Sequence, residues 1–179
     1  MPYTVFGGEI EDHVEILIDL SKIWWKFEKK KSAGKQKANL FDRQFKENIK
    51  GLAISHNFLP SKRKNAAVSS TAKVYVSTKA YKSGAYEVGG KRIIEHIVPA
   101  NVLYKRITDK LKENNGKLSK VFVKSLFEKF GYIAIITKDE NSKLNVYKDS
   151  MPKGKEGCLL ARYKKVKIQL EKKMMEVKL

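Results

Sequence analysis

The chain contains little of several residue types that would point to particular chemistries. Its 179 residues include one cysteine. A single cysteine, Cys158, excludes an internal disulfide bond and a cysteine-rich zinc site, so we expect no zinc ribbon and a cytoplasmic protein. No apolar run approaches the roughly 18 residues of a membrane span. The first ten residues also lack the basic and apolar segments of a signal peptide, so we expect no association with a membrane.

Acidic residues are also scarce. The sequence has 19 Asp and Glu against 38 Lys and Arg, which gives a formal net charge of +19. A positive field of this size attracts polyanions. Several of the acids lie within the first twenty residues, so we expect the basic surface to lie mainly beyond residue 20. The composition therefore predicts a nucleic acid as partner, with an acidic protein as the alternative.

Arginine is rare among the basic residues. Only five of the 38 are arginine. Direct reading of bases favours the planar guanidinium group, whereas lysine acts as a point charge on phosphate. We therefore predict contacts with the backbone of DNA or RNA and little reading of sequence. The predicted contact residues are Lys62, Arg63, Lys64, Lys91, Arg92, Lys105, Arg106 and Arg162.

The spacing of apolar residues predicts an α+β fold, mostly helical, in a single basic domain over residues 1–179. Spacings of three and four predict an N-terminal helical pair within residues 1–60. Residues 61–179 are predicted to form an α+β part, with a small β-hairpin or short sheet near residues 86–98.

Three further segments carry local signals. Residues 66–81 combine strand-favouring valines with alanines, and we expect a helix there. Thr137 and Glu140 have the spacing of a capping box, which predicts a short helix from that point. The tail from Lys164 alternates lysine with aliphatic residues, so we expect it to lie on the surface.

One compact cluster has the residue types used in catalysis, Glu95-His96-Ile97-Val98-Pro99. Neighbours in a strand point to opposite faces, so Glu95 and His96 share one site only if the strand ends or bulges there, which Pro99 permits. A carboxylate can then hold a divalent cation beside a phosphate while a neutral imidazole deprotonates water. The alternative is a structural histidine between strand and helix, with Glu95 paired to a nearby Lys or Arg.

This string resembles the HNH, or ββα-metal, nuclease superfamily, in which an acidic residue and a histidine precede apolar residues and a proline. The resemblance implies Glu95 as metal ligand, His96 as general base and Mg²⁺ as the ion, with Asn114 and Asn115 completing the metal site. It covers five residues and lacks both a CxxC pair and a second histidine downstream. Two hypotheses follow. One is a metal-dependent endonuclease that cleaves phosphodiester bonds, and the other is a non-catalytic DNA- or RNA-binding protein, such as an accessory factor of a defence system or mobile element.

Overall fold

The computed structural model describes residues 10–29, 42–49, 69–84 and 93–178. Within these ranges, two helices come first along the chain, and four strands separated by one or more helices follow. In chain order the elements are α1 (Ile10–Lys29), α2 (residues 42–49), β1 (Ser69–Ser77), α3 (Thr78–Lys82), β2 (Ile93–His96), α4 (Ala100–Glu113), α5 (Lys120–Phe130), β3 (Ile133–Ile136), α6 (Lys138–Leu144), a 3₁₀ turn (Asn145–Tyr147), α7 (Ala161–Lys165) and β4 (Leu170–Lys178).

Four helices, α1, α2, α4 and α5, share one hydrophobic core. Each contributes apolar side chains at helical spacing, so one face of every helix is removed from water. Trp24 of α1 stacks on Phe45 of α2 with ring centroids 6.2 Å apart, and Tyr104 of α4 meets both rings edge-on. The predicted N-terminal helical pair is thereby confirmed.

The four strands within the described residues form one mixed sheet in the order β2-β3-β1-β4. Strands β1 and β3 are parallel, whereas the outer strands pair antiparallel to their neighbours. The α+β, mostly helical prediction is confirmed, and Ile93–His96 supplies a strand within the predicted range, whereas residues 86–92 lie outside the described residues. Strand β2 pairs with β3, which lies beyond α4 and α5 along the chain.

The prediction of a helix over residues 66–81 is wrong for most of that range. Residues 69–77 form β1, and only the following five residues turn into the short helix α3. Strand β1 is central and pairs on both sides, and Val74 and Val76 are buried on one of its faces, where β-branched side chains pack well. Burial and pairing outweigh the helix propensity of the alanines. Residues 66–68 lie outside the described ranges.

The tail from Lys164 is mostly exposed up to Lys173, as predicted, but it also forms a strand that the sequence pattern did not predict. After helix α7, the chain enters β4, which pairs with β1 along all nine of its residues. A surface-laid segment and an edge strand share the same alternation of lysine and aliphatic residues, because successive side chains of a strand point to opposite faces and one of those faces can be solvent-exposed. Only the pairing partner distinguishes the two.

The loop after β3 begins α6 with the predicted capping box. Thr137 accepts from the backbone N–H of Glu140, and the Glu140 carboxylate accepts from the Thr137 backbone. Glu140 is buried and also accepts from the Ser77 hydroxyl at 2.6 Å, so it joins α6 to the end of β1. Helices α6 and α7 then cover one face of the sheet through Leu144 and Tyr163. None of the described helices combines the length and the apolar character that crossing a membrane requires.

Candidate nucleic-acid interface

Glu95 and His96 occupy the last two positions of β2. Glu95 lies opposite Ala134 and His96 opposite Ile133 in an uninterrupted antiparallel register. Because the strand has no bulge at this point, the two side chains project to opposite faces of the sheet. The structure therefore does not bring the carboxylate and the imidazole into one site.

The Glu95 carboxylate is bound by Arg162 of α7. Arg162 Nη2 donates to Glu95 Oε1 at 2.9 Å, and Arg162 Nη1 donates to the main-chain oxygen of His96, also at 2.9 Å. The Arg162 side chain is 1% exposed and that of Glu95 is 24% exposed. The prediction that Arg162 contacts nucleic acid is wrong, because its guanidinium group is buried and donates its hydrogen bonds to β2.

The implied metal ligands do not converge among the described residues. Asn114 and Asn115 follow the last turn of α4 and are exposed. The helix has 14 residues and is therefore about 21 Å long. The motif precedes its first residue, so the two asparagines lie at the far end of the helix from the motif. The described part of the chain contains no group of three or more His, Cys, Asp or Glu side chains that could hold a metal ion. A carboxylate already neutralised by a buried guanidinium group is a poor Mg²⁺ ligand. The residues present do not fit the implied Mg²⁺ site.

A buried tyrosine lies next to the ion pair along α7. Tyr163 follows Arg162 and is 1% exposed. Burial, together with the negative charges of Glu95 and Glu140, raises the pKa of Tyr163, so its phenol stays protonated. The two Arg162 bonds tie α7 to β2, which is the structural alternative to catalysis for Glu95.

The other predicted nucleic-acid contacts fall into two groups. On α4, Lys105 is exposed, whereas the Arg106 guanidinium lies 4.1 Å from the centre of the Phe130 ring and donates to the main-chain oxygen of Glu156. Burial lowers the pKa of Arg106, and its contacts hold the loop after the 3₁₀ turn against α4. Five predicted contacts lie outside the described residues: Lys62, Arg63, Lys64, Lys91 and Arg92.

A concentrated basic surface lies on α7, the turn after it and the start of β4. We call it the α7–β4 surface. It has a single carboxylate between residues 161 and 173, Glu171, which is paired with Lys173 at 3.1 Å. Beside it is an open pocket of about 530 Å³ with Lys164 and Lys167 in its lining. The lysines of this surface are Lys164, Lys165, Lys167 and Lys172, which are exposed. The half-buried Lys173 leaves β4 on the face opposite to Lys172.

Lys167 has an unusual backbone conformation. Its φ is 58°, in the left-handed region that glycine usually occupies at the end of a helix. The N–H of Lys167 binds the Lys164 oxygen and the N–H of Ile168 binds the Tyr163 oxygen, the two bonds of a Schellman motif. A lysine therefore occupies a position where its backbone alone would favour glycine.

Two tyrosines adjoin the α7–β4 surface. Tyr75 of β1 and Tyr132 before β3 meet edge-to-face with ring centroids 5.7 Å apart. Lys172 Nζ lies 4.8 Å from the Tyr132 centroid and 5.8 Å from that of Tyr75. Sequence reasoning did not identify this cluster, because its members come from three separate segments. The lysine-rich alternation of the tail was its one signal.

Comparisons of the chain with protein-family models, with curated proteins and with solved structures found no match.

Proposed function

We propose that this protein binds DNA or RNA through phosphate contacts on the α7–β4 surface and that Glu95 and His96 serve the fold. The observation that carries the proposal is a group of four exposed lysines, on contiguous elements with one carboxylate among residues 161–173, in a chain with a net charge of +19. Lysines on neighbouring elements create a positive track for a polyanion.

Most of these lysines are available for phosphate. Lys164, Lys165 and Lys167 follow one another on the exposed end of α7 and its turn. On some other faces, lysines are paired with carboxylates, as in the pairs Lys79–Asp139 and Lys110–Glu113. A phosphate on the α7–β4 surface therefore meets less repulsion than on those other faces.

Non-catalytic binding fits the geometry of the motif better than hydrolysis does. A general base and a metal ligand must both reach one phosphate, but β2 directs His96 and Glu95 to opposite faces and Arg162 neutralises Glu95. The nuclease hypothesis remains a prediction from the five-residue string. It requires that His96→Ala abolish Mg²⁺-dependent cleavage of DNA or RNA by the purified protein.

Salt-dependent binding tests the proposal. The variant Lys164→Gln/Lys167→Gln/Lys172→Gln removes three charges from the α7–β4 surface. On duplex DNA, log K falls linearly with log salt, and each lost phosphate contact makes this slope shallower by about 0.9. For three lost contacts, we expect the slope to become shallower by about two to three. The assay is fluorescence anisotropy over a salt series.

The matched control removes three exposed charges elsewhere, as Lys112→Gln/Lys117→Gln/Lys143→Gln. Both variants have the same net charge, so a difference between them measures location and not total charge. We expect the control to retain most of the wild-type slope. Equal losses in the two variants would contradict the assignment of the α7–β4 surface, and a wild-type protein that binds no nucleic acid at low salt would contradict the function itself.

A further inference from the structure

The tyrosine pair beside β4 forms a second feature of the basic surface. We propose that Tyr75 and Tyr132, together with Lys172, form a subsite on which unpaired bases of single-stranded nucleic acid stack. The inference rests on the proposed nucleic-acid binding and adds the class of ligand, a single strand in preference to a duplex.

The strand register places the three side chains on one face of the sheet. Tyr75 lies directly opposite Lys172 in the β1–β4 ladder, and side chains in such cross-strand positions are neighbours. Tyr132 precedes β3 and meets Tyr75 with the ring planes at 89°. The ammonium group of Lys172 therefore borders both rings.

The two tyrosines are only partly covered by the rest of the fold. Both tyrosines pack against the cluster that includes Ile97, Ala134 and Tyr163, yet each remains half-buried. Packing on one side restricts the rings, and the remaining exposure leaves part of each ring accessible. A restricted aromatic ring loses little conformational entropy when a ligand stacks on it.

Unpaired bases are the occupant that matches this chemistry. A base can displace the Lys172 ammonium from the rings, and the ammonium can then pair with the phosphate of the same nucleotide. The exchange replaces a weak, exposed cation–π contact with a stacked base and an ion pair. Lys164 of α7 and Lys167 of the following turn precede Leu170, the first residue of β4, and supply further positive charge for the adjoining phosphates. The bases of a duplex are already paired and stacked, so they gain nothing from the rings.

The protein contains a tyrosine suited to serve as a control. Tyr81 of α3 is 46% exposed, and Lys173 Nζ lies 3.9 Å from its ring centroid. Lys172 and Lys173 are successive residues of β4, so their side chains leave the strand on opposite faces. Tyr81 thus forms the same kind of lysine–aromatic contact on the opposite face of the sheet.

The experiment compares a fluorescent single strand of about 12 deoxythymidines with a duplex of equal length. We expect the variant Tyr75→Leu/Tyr132→Leu to bind the single strand about tenfold more weakly than the wild type, with duplex affinity changed by less than about twofold. The variant Tyr75→Phe/Tyr132→Phe retains the ring faces and should bind as the wild type does. Tyr81→Leu should leave both affinities unchanged.

Three outcomes overturn the subsite. They are unchanged single-strand affinity in the leucine variant, equal losses on the single strand and the duplex, and a loss in Tyr81→Leu as large as that in the leucine variant. The ring-proton resonances of Tyr75 and Tyr132 in the unaltered protein provide a test independent of folding, because a stacked base shifts them upfield. Absence of that shift at saturating single strand also overturns the subsite. Failure of the wild type to bind either nucleic acid instead refutes the proposed function.

Discussion

Removal of Glu95 tests whether the Glu95–Arg162 ion pair maintains the fold. The variant Glu95→Ala leaves the Arg162 guanidinium group charged in an environment where its side chain is 1% exposed. Breaking a buried ion pair by deleting one partner costs about 3–5 kcal/mol. Glu95 is 24% exposed, so solvent screens part of the attraction, and we expect about 3 kcal/mol. For a chain of this length that corresponds to a fall in Tm of about 6–12 °C.

A double-mutant cycle separates the pair from other contacts. Arg162→Leu removes the bonds to Glu95 and to the His96 oxygen, but the partly exposed Glu95 can turn towards water, so we expect a smaller cost of about 2 kcal/mol. The double variant Glu95→Ala/Arg162→Leu contains no unpaired buried charge. Its cost should fall below the sum of the single costs by at least about 1 kcal/mol.

Thermal and urea unfolding followed by circular dichroism measure all three variants. Additive costs, or a Glu95→Ala variant as stable as the wild type, would refute the structural role of the pair. A Glu95→Ala variant that keeps its Tm but loses Mg²⁺-dependent cleavage would instead support the nuclease hypothesis. The cycle therefore decides between the two interpretations of the motif.

Two further predictions concern stability. Lys167→Gly should stabilise the protein by about 0.5–1 kcal/mol in urea unfolding, because glycine adopts the left-handed conformation without a steric penalty; a destabilised variant would show that the lysine side chain outweighs its backbone. The second prediction concerns Asp42. Burial raises the pKa of the Asp42 carboxyl, but hydrogen bonds from Lys46 and Tyr104 outweigh burial and hold this pKa below its ordinary value. Tyr104→Phe should therefore cost about 1 kcal/mol at pH 7. A depressed carboxyl pKa contributes stability above the unfolded pKa of about 3.9, and this is lost as pH falls through the folded pKa. The difference between the variant and the wild type should shrink by pH 3, and an equal difference at both pH values would contradict the role of the hydrogen bond.

Local patterns predicted much of the helical half. The N-terminal helical pair follows from apolar residues at spacings of three and four, and the start of α6 follows from Thr137 and Glu140. These signals are local, because a helix forms its hydrogen bonds within one segment and its caps within one turn. The structure adds the partners that each apolar face covers.

The strands were harder to predict. Residues 69–77 contain Ala72 beside Val74 and Val76, and their conformation depends on β3 and β4, both distant in sequence. Strand propensity reflects packing and pairing more than an intrinsic preference of the backbone. The assignment of β1 and β4 therefore required the sheet.

The candidate site shows the same division. Three features could be recognised from the sequence alone. The excess of lysine over acidic residues and the scarcity of arginine support binding to the phosphate backbone, whereas the Glu95-His96 string raises the question of catalysis. Tertiary structure alone decided that Arg162 is buried against Glu95, that His96 faces the other side of the sheet and that Tyr75, Tyr132 and Lys172 meet. Charge is a sum over residues and can be counted along the chain, whereas burial and proximity arise when distant segments pack together.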